Sequence, residues 1–250
     1  MIPPMNIGIL ESGRPVPEIL EHWGDFPNAF KRLLGAVEPS WQYEVFAAID
    51  GELPPSPDAC DAWLITGSRF GAYDADPWIA ALQTFVKDVY TSGKPLVGIC
   101  FGHQLIAQAL GGRVELSEHG WGVGVHSYDV KFGSGFPADS ATIAMQAFHQ
   151  DQIVELPAQA EIVASSDFCP AAMVQYGKQV RTVQAHPEFD VAFVRLLLAA
   201  RRGTVVPEPV AARADATLDS PTDAHTVARW LADCLALAKT PTAALSLIHI

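Results

Sequence analysis

The chain has 250 residues, of which 49% are hydrophobic and 18% are charged, and its formal net charge is −12 at pH 7. This composition provides enough apolar material for a full core and argues against a disordered chain. The acidic balance disfavours nucleic acid and anionic membrane surfaces as main partners, while an anionic metabolite in a locally positive cleft stays compatible with it. The length fits one large domain or two small ones.

The amino-terminal sequence MIPPMNIGIL lacks the basic start and long apolar run of a signal peptide. No apolar run approaches the ~20 residues that a transmembrane helix needs, so we predict a cytoplasmic protein with no membrane partner. The four cysteines are widely spaced and form no C-x-x-C pair, and no other cluster has metal-ligand spacing. We therefore expect free thiols rather than a disulfide framework, and no metal site.

The first half of the chain alternates strand-like and helix-like segments. Short apolar runs predict strands, and helical spacing of apolar residues predicts helices, the first of them with Asp76 as N-cap and Pro77 in its first turn. The predicted strands cover residues 5–10, 41–49, 61–67 and 95–100, and the helices cover 76–90 and 101–110. This alternation predicts an α/β fold with a mostly parallel central sheet and helices on both faces.

The second half of the chain shows a different pattern of predicted elements. After Gly112, short β-like runs separated by turn residues predict strands added at the sheet edge or a small antiparallel subsheet. Residues 189–203 again predict a helix, with a glycine stop. We predict one domain over residues 1–203, followed at 204–250 by a linker (204–220) and an amphipathic helix (221–239) that packs on the same domain. The apolar end LSLIHI is expected either to enter the core or to be non-native, and it receives no functional weight.

One cysteine lies at a strand-to-helix joint. The stretch PLVGICFGHQLIAQALGG (95–112) flanks Cys100 with Gly98 and Gly102, a G-x-C-x-G turn typical of a nucleophile elbow. Glycines relieve the backbone crowding at such a sharp turn. A helix that begins at Phe101 directs its positive end towards the sulfur, which favours the thiolate, and offers N–H groups to an oxyanion. The alternative interpretation is a buried structural cysteine at the end of a core strand.

A thiolate nucleophile needs a base, and His186 in VQAHPEF is the strongest candidate. Pro187 favours an extended conformation at His186, so Glu188 projects to the same side and is placed to orient the imidazole. HPE alone is a weak signal, but the elbow and HPE together predict a Cys-His-Glu triad. His103, on the helix after the elbow, is a rival base without a neighbouring acid. Because histidine precedes the acid, a cysteine variant of the α/β-hydrolases is disfavoured.

Three stretches together resemble the class I, triad-type glutamine amidotransferases: GICFGHQ (98–104), HPE (186–188) and ITGSRFGAYD (65–74). The resemblance covers roughly residues 5–200, and the runs GWGVGVHSYDV, FHQDQIVELP and ASSDFCP make the chain most similar to the free-standing, GMP-synthase-like branch. It implies a flavodoxin-like three-layer sandwich and a reaction without cofactor. In that reaction Cys100 attacks the carboxamide of glutamine or a γ-glutamyl compound, His186 protonates the leaving nitrogen, and Glu188 orients His186.

The resemblance also implies where the substrate is held. Backbone N–H groups of Gly67 and Phe101 would bind the oxyanion, and the implied substrate contacts are Gln104, Gln150 and Asp151. Two simpler interpretations stay open, in which Gln104 is an exposed helix residue and Asp151 a turn or strand-start residue. The family's G-G-P loop reads Thr66-Gly67-Ser68 here. Loss of that proline predicts a more mobile loop or one shaped for a larger substrate.

Three functions remain open. The chain has no G-x-x-x-x-G-K-[ST] loop and few residues beyond the matched region, so ammonia transfer within this chain is disfavoured. The first function is a stand-alone hydrolase of glutamine or γ-glutamyl amides and peptides, which γ-glutamyl peptidases among the free-standing relatives favour. The second is a glutaminase subunit for a separate synthetase. The third is a silent domain that binds a metabolite or partner, and the intact Cys, His and Glu set counts against it.

Overall fold

The computed structural model describes residues 4–137 and 141–239. In these ranges eleven strands and seven α-helices follow one another, together with three short 3₁₀ helices. The strands are β1 (Asn6–Leu10), β2 (Gln42–Phe46), β3 (Ala62–Ile65), β4 (Leu96–Ile99), β5 (Arg113–Leu116), β6 (Gly122–Val130), β7 (Thr142–His149), β8 (Asp151–Glu155), β9 (Ala160–Ser165), β10 (Met173–Tyr176) and β11 (Val180–Val183). The helices are α1 (Pro17–Trp23), α2 (Phe26–Gly35), α3 (Pro77–Ser92), α4 (Phe101–Ala109), α5 (Val191–Arg201), α6 (Glu208–Asp215) and α7 (Ala224–Leu235).

The main sheet has a parallel part and an antiparallel part. Five strands lie parallel in the order β2-β1-β3-β4-β11. Strands β10, β9, β6 and β7 then continue the sheet with antiparallel pairing. Strands β5 and β8 form a separate antiparallel pair. Both forms of the predicted antiparallel addition are therefore present, as edge strands and as a small second sheet.

Side chains of the central strands alternate between two apolar layers. In β1, Ile7 and Ile9 face the layer that contains α2 and α7. In β3, Trp63 and Ile65 face the opposite layer, which contains α3 and α4. Because successive strand residues point to opposite faces, each buried strand contributes to both layers. The predicted arrangement, a mostly parallel sheet with helices on both faces, is confirmed.

Helix starts match the predicted chemistry only in part. Helix α3 begins at Pro77 after Asp76, but the Asp76 side chain makes no capping hydrogen bond. Carboxylates cap α2 and α5 instead: Asp25 accepts from the N–H of Asn28, and Asp190 accepts from the N–H of Phe193. Helices α1 and α2, which fill the crossover between β1 and β2, were not predicted.

The segment predicted as a linker contains a packed helix, so that prediction was wrong. Helix α6 lies within it, and Val206, Ala211, Ala214 and Leu218 are all buried. Alanine is a good helix former, and its small side chain allows close approach to β6, where a Cβ on Gly124 would lie 3.0 Å from the Cα of Ala214. A composition rich in Pro, Ala and Asp therefore conceals a short helix.

Helix α7 is shorter than its predicted span of 221–239. It contacts α2, β4 and β11, and Val227, Leu231 and Leu235 are buried in the layer that it shares with α2. The terminal LSLIHI lies outside the described residues. None of the helices in residues 4–137 and 141–239 has the length and apolarity to cross a bilayer.

Candidate active site

A cavity of about 440 Å³ opens at the carboxyl ends of the parallel strands, where open α/β sheets commonly bind ligands. The loop after β1 contributes Arg14, the loop after β3 contributes Gly67, and the turn after β4 contributes Cys100. The segment after β11 contributes His186, and the junction of β7 with β8 contributes Gln150. The first four meet because β1, β3, β4 and β11 are neighbours in the sheet, and an isolated antiparallel bridge between Gln146 and His186 brings the end of β7 to the same place.

Cys100 lies on a strained turn between β4 and α4. Its φ of 52° is the only positive value at a non-glycine residue in the described part of the chain. Its N–H donates to the carbonyl of Val183 at 2.8 Å, which fixes the turn to β11. A Cβ on Gly98 would lie 2.6 Å from the backbone of Gly102, and a Cβ on Gly102 would lie 2.5 Å from the carbonyl oxygen of Ile65. Both flanking glycines are thus required by backbone contact.

His186 is held from several sides. Its Nδ1 lies 2.7 Å from Oε1 of Glu188, and both side chains are almost fully buried. Its backbone N–H donates to the carbonyl of Gln146 at 2.8 Å. The ring of Phe189 stacks on the imidazole with centroids 3.8 Å apart and planes 3° apart. Because Glu188 occupies Nδ1, Nε2 is the ring nitrogen left for the hydrogen bond with Cys100.

The electrostatics of this group favour a charged imidazole. Burial by itself lowers the pKa of His186, but the carboxylate of Glu188 and the contact with Cys100 outweigh burial and raise the pKa to about 10. The imidazolium form is therefore stabilised between a carboxylate on one ring nitrogen and the sulfur on the other. Such an arrangement suits an imidazole that accepts and returns a proton beside a thiolate.

Gly67 lies beside both groups. A Cβ there would lie 3.2 Å from Cε1 of His186 and 3.8 Å from Cβ of Cys100. Its loop is braced by the buried Thr66 hydroxyl, which accepts from the N–H of Ser12 at 2.9 Å and donates to the carbonyl of Gly67 at 3.1 Å. On the other side, Phe101 occupies the first position of α4, where an N–H has no carbonyl partner within the helix.

The three predicted substrate contacts line the same cavity. Gln104 is buried, and its Nε2 donates to the carbonyl of Asp151 at 2.8 Å and to Oε1 of Gln184 at 3.0 Å. It is therefore not an exposed helix residue, and it ties α4 to the start of β8. The Asp151 carboxylate accepts from the hydroxyl of Tyr73 at 3.1 Å. Burial, only partly offset by that hydroxyl, raises the pKa of Asp151.

The rival base lies elsewhere. His103 is fully buried on the face of α4 that packs against the sheet, and its Nδ1 lies 2.7 Å from the hydroxyl of Thr182. Burial lowers the pKa of His103 to about 3, so its imidazole is neutral. Since His103 does not line the cavity, it has no path to a substrate held at Cys100.

Comparison with known proteins agrees with this geometry. The profile of the glutamine amidotransferase class-I family matches residues 59–192. The chain belongs to the class I glutamine amidotransferase family. It is 33% identical to gamma-glutamyl peptidase 5 of Arabidopsis thaliana over 179 residues, which cover 67% of this chain and 69% of that protein.

Two further comparisons extend over more of the chain. A glutamine amidotransferase-like protein of Schizosaccharomyces pombe is 32% identical over 215 residues, covering 80% of this chain and 86% of that protein. The crystal structure of a glutamine amido transferase from Methylobacillus flagellatus has a TM-score of 0.74 at 19% identity and covers 94% of both chains. This last similarity concerns the fold.

Several lining residues of this glutamine amidotransferase were missed by sequence reasoning. His149 is buried, and burial with the nearby His126 and His186 lowers its pKa to about 3. Phe189 stacks on His186, and Tyr73, which lies outside the lining, donates its hydroxyl to Asp151. The only sequence feature that pointed to these residues is their position next to predicted ones. Phe189 directly follows HPE, and His149 directly precedes the predicted Gln150. The contacts that these side chains make cannot be predicted from the spacing of residues along the chain, because they depend on how the segments pack.

The other three thiols of the chain lie outside the cavity that Cys100 lines. All four cysteines are free, yet Cys60, Cys169 and Cys234 do not line the cavity. Burial raises the pKa of each of these three to about 12. Within residues 4–137 and 141–239, no three His, Cys, Asp or Glu side chains are grouped so as to hold a metal ion.

Proposed function

We propose that this class I glutamine amidotransferase hydrolyses the side-chain amide of glutamine or of a γ-glutamyl amide or peptide. The observation that carries the proposal is the linked set of Cys100, His186 and Glu188 at one wall of the cavity. The gamma-glutamyl peptidase name of a relative supports a γ-glutamyl substrate. A set of this kind argues against a silent binding domain, because binding alone does not require a nucleophile, a base and an orienting acid together.

In the first half-reaction, the sulfur of Cys100 bonds to the substrate's δ-carbonyl carbon, and its proton resides on Nε2 of His186. The carbonyl oxygen becomes an oxyanion, which the N–H groups of Gly67 and Phe101 bind. His186 then passes the proton to the amide nitrogen, the C–N bond breaks, and ammonia or an amine departs. The glutamyl group remains on Cys100 as a thioester.

In the second half-reaction, water takes the place of the departed amine. Nε2 of His186 removes a proton from the water, and the oxygen bonds to the thioester carbon. The C–S bond breaks, glutamate leaves, and the proton restores the starting state of the Cys100–His186 pair. Glu188 keeps the imidazole in one tautomer and orientation in both halves, because its carboxylate lies on Nδ1 throughout.

A glutaminase subunit that delivers ammonia to a separate synthetase would use the same two half-reactions. It differs in its leaving group, which is ammonia alone. The cavity extends past His186 along α5, so it offers room for a leaving group larger than ammonia. This observation favours the stand-alone hydrolase over the synthetase subunit.

The test is release of ammonia and glutamate by the purified chain on glutamine and on a panel of γ-glutamyl amides and peptides. Cys100→Ala provides the blank, and Cys60→Ala, which removes a buried thiol outside the cavity, provides the matched control. We expect turnover that Cys100→Ala abolishes and Cys60→Ala retains. Activity retained in Cys100→Ala would place the nucleophile elsewhere. Slow cleavage of glutamine alone would favour the synthetase subunit.

A further inference from the structure

The cavity has an apolar wall that the proposed chemistry does not use. Phe193, Leu197 and Arg201 follow one another at intervals of four along α5, so they lie on one face of that helix, and all three line the cavity. Val16, just before α1, and Phe26, the first residue of α2, line the same cavity and pack in the same apolar cluster. A bare ammonia molecule gains nothing from such a wall, because it has no apolar surface to bury.

Ring contacts connect this wall to the side of the site where the amine departs. The imidazole of His186 stacks on Phe189, and the ring of Phe189 lies 4.2 Å from that of Phe193, centroid to centroid. The group that protonates the leaving nitrogen therefore borders the α5 wall. Away from α5 the lining includes the polar Gln104, which donates to the backbone carbonyl of Asp151 at the start of β8. These contacts assign the Gln104 side to the glutamyl half and the α5 wall to the amine half.

The cavity lining carries more positive than negative side chains, although the chain as a whole is acidic. Three arginines line it beside a single carboxylate, that of Asp151. Arg14 is engaged by Glu11 at 2.9 Å and by Asp50 at 2.6 Å. Arg69 is exposed and lies over the ring of Phe70. Arg201, the last residue of α5, is partly buried and makes no side-chain ion pair within the described part of the chain, unlike its neighbour Arg202, which pairs with Glu208 and Asp215.

We infer that the α5 wall is a subsite for an apolar α-amino acid as the leaving group, with Arg201 binding its free carboxylate. The preferred substrate is then a γ-glutamyl dipeptide whose second residue has a large apolar side chain. The side chain packs on Phe193 and Leu197, and the carboxylate lies at the helix end that bears Arg201. This inference rests on the proposed function, because the role of His186 defines which half of the substrate departs along α5.

The first test measures binding rather than turnover, by titration calorimetry with the Cys100→Ala chain. The probes are γ-glutamylphenylalanine, γ-glutamylglycine and γ-glutamylphenethylamide, the last of which keeps the ring and lacks the carboxylate. We expect γ-glutamylphenylalanine to bind at least about tenfold more tightly than γ-glutamylglycine, because the ring fills the apolar wall. Equal affinities for these two dipeptides would overturn the subsite.

The second test assigns the carboxylate. In the Cys100→Ala background, Arg201→Ala is expected to weaken γ-glutamylphenylalanine about tenfold, since one charge-assisted contact is lost, and to leave γ-glutamylphenethylamide unchanged. Arg195→Ala is the matched control, because Arg195 lies on the same helix, pairs with Asp219 on the surface and does not line the cavity. If Arg69→Ala shows the loss and Arg201→Ala does not, the assignment to Arg201 is wrong.

Turnover by the wild-type chain distinguishes failure of the subsite from failure of the proposed function. Cys100-dependent hydrolysis with equal kcat/KM for γ-glutamylphenylalanine and γ-glutamylglycine overturns the subsite and leaves the proposed function standing. Binding with the expected pattern but no hydrolysis of any probe overturns the proposed function, and the wall then holds a ligand without cleaving it.

Discussion

The imidazole of His186 is held by contacts on several sides. Glu188 holds one ring nitrogen, Cys100 takes the other, and Phe189 covers a ring face. The edge at Cε1 faces Gly67. A ring held at so many points loses little orientational freedom when substrate arrives, which is how a preorganised site lowers the entropic cost of catalysis.

His186 and Glu188, the proposed triad partners of Cys100, should differ in how much they contribute to the rate. His186→Ala removes the group that moves protons, and we expect kcat to fall by about 10²–10⁴-fold. Glu188→Gln leaves an imidazole that is less well oriented, and we expect a smaller loss. Steady-state kinetics on whichever γ-glutamyl substrate turns over fastest measures both. Equal losses would mean that the acid does more than orient.

The same pair links stability to pH. Because the pKa of His186 is raised from 6.5 to about 10 on folding, its stabilising contribution is fully present below pH 6.5 and is lost as pH rises through about 10. In Glu188→Gln the carboxylate that raises this pKa is gone. We therefore expect the difference in unfolding free energy between wild type and Glu188→Gln to shrink from pH 6 to pH 10.

Urea unfolding of both chains at a series of pH values measures that difference. The variant serves as its own control for the other titrating groups, because these are common to both chains. A difference that stays constant, or that grows with pH, would contradict a raised pKa at His186.

At the scale of elements, the elbow is shaped by backbone contact rather than by side chains. The turn from β4 into α4 brings Gly98 against Gly102, and Gly102 against Ile65 in β3. Both glycines have room for no side chain at all. The strain at Cys100 is thus maintained by close packing of three backbone segments.

Gly98→Ala tests this packing. A methyl group there would lie 2.6 Å from backbone atoms of Gly102 and from Cδ1 of Ile106, so the helix must shift away from the strand. We expect a loss of about 1–3 kcal/mol in unfolding free energy and a large loss of activity, because Cys100 moves with the helix.

Gly35→Ala is the matched control for that experiment. Gly35 is the last residue of α2, and a Cβ there meets no atom within 4 Å. We expect it to be neutral or to stabilise by up to ~1 kcal/mol, since alanine is the better helix former. A Gly98→Ala chain as stable and active as the Gly35→Ala chain would contradict the proposed elbow packing.

Across the whole molecule, the carboxy-terminal part of the described chain adds to the core rather than standing apart. Helix α7 covers the central strands beside α2, while α6 packs with α1 and α5 in a third apolar cluster. Helix α5, which carries Arg201, therefore packs against α6, a helix in the segment that was predicted from the sequence to be a linker.

Leu231→Ala tests this shared core. Leu231 is fully buried in the layer that holds the central strands, and we expect its truncation to cost about 2–5 kcal/mol. Arg229→Ala, two residues earlier on the exposed face of α7, should stay within ~0.5 kcal/mol of wild type. Urea unfolding should show one cooperative transition for both. A separate early transition in Leu231→Ala would make α7 an independent unit.

The local geometry around Cys100 and His186 could be predicted from the sequence, because neighbouring residues carry each pattern. Gly98, Cys100 and Gly102 must follow one another at a sharp turn, and His186 with Glu188 needs only one extended segment, so both patterns can be read from neighbouring residues. Reasoning failed where the outcome depends on distant packing. Ala211 and Ala214 are buried against β6, but nothing in the local sequence distinguishes them from alanines of a solvated linker.

The pairing of β4 with β11 has a consequence for folding kinetics. Val183 pairs with Ile99, so Cys100 and His186, the proposed nucleophile and base, meet only when two strands distant in sequence adopt the correct register. A slip of one residue would turn the side chains of a strand to the opposite face of the sheet. Contacts of such high sequence separation form late and slowly. After dilution from urea, activity should therefore return only once β4 and β11 have paired. We expect this return to lag behind the recovery of the helical circular-dichroism signal.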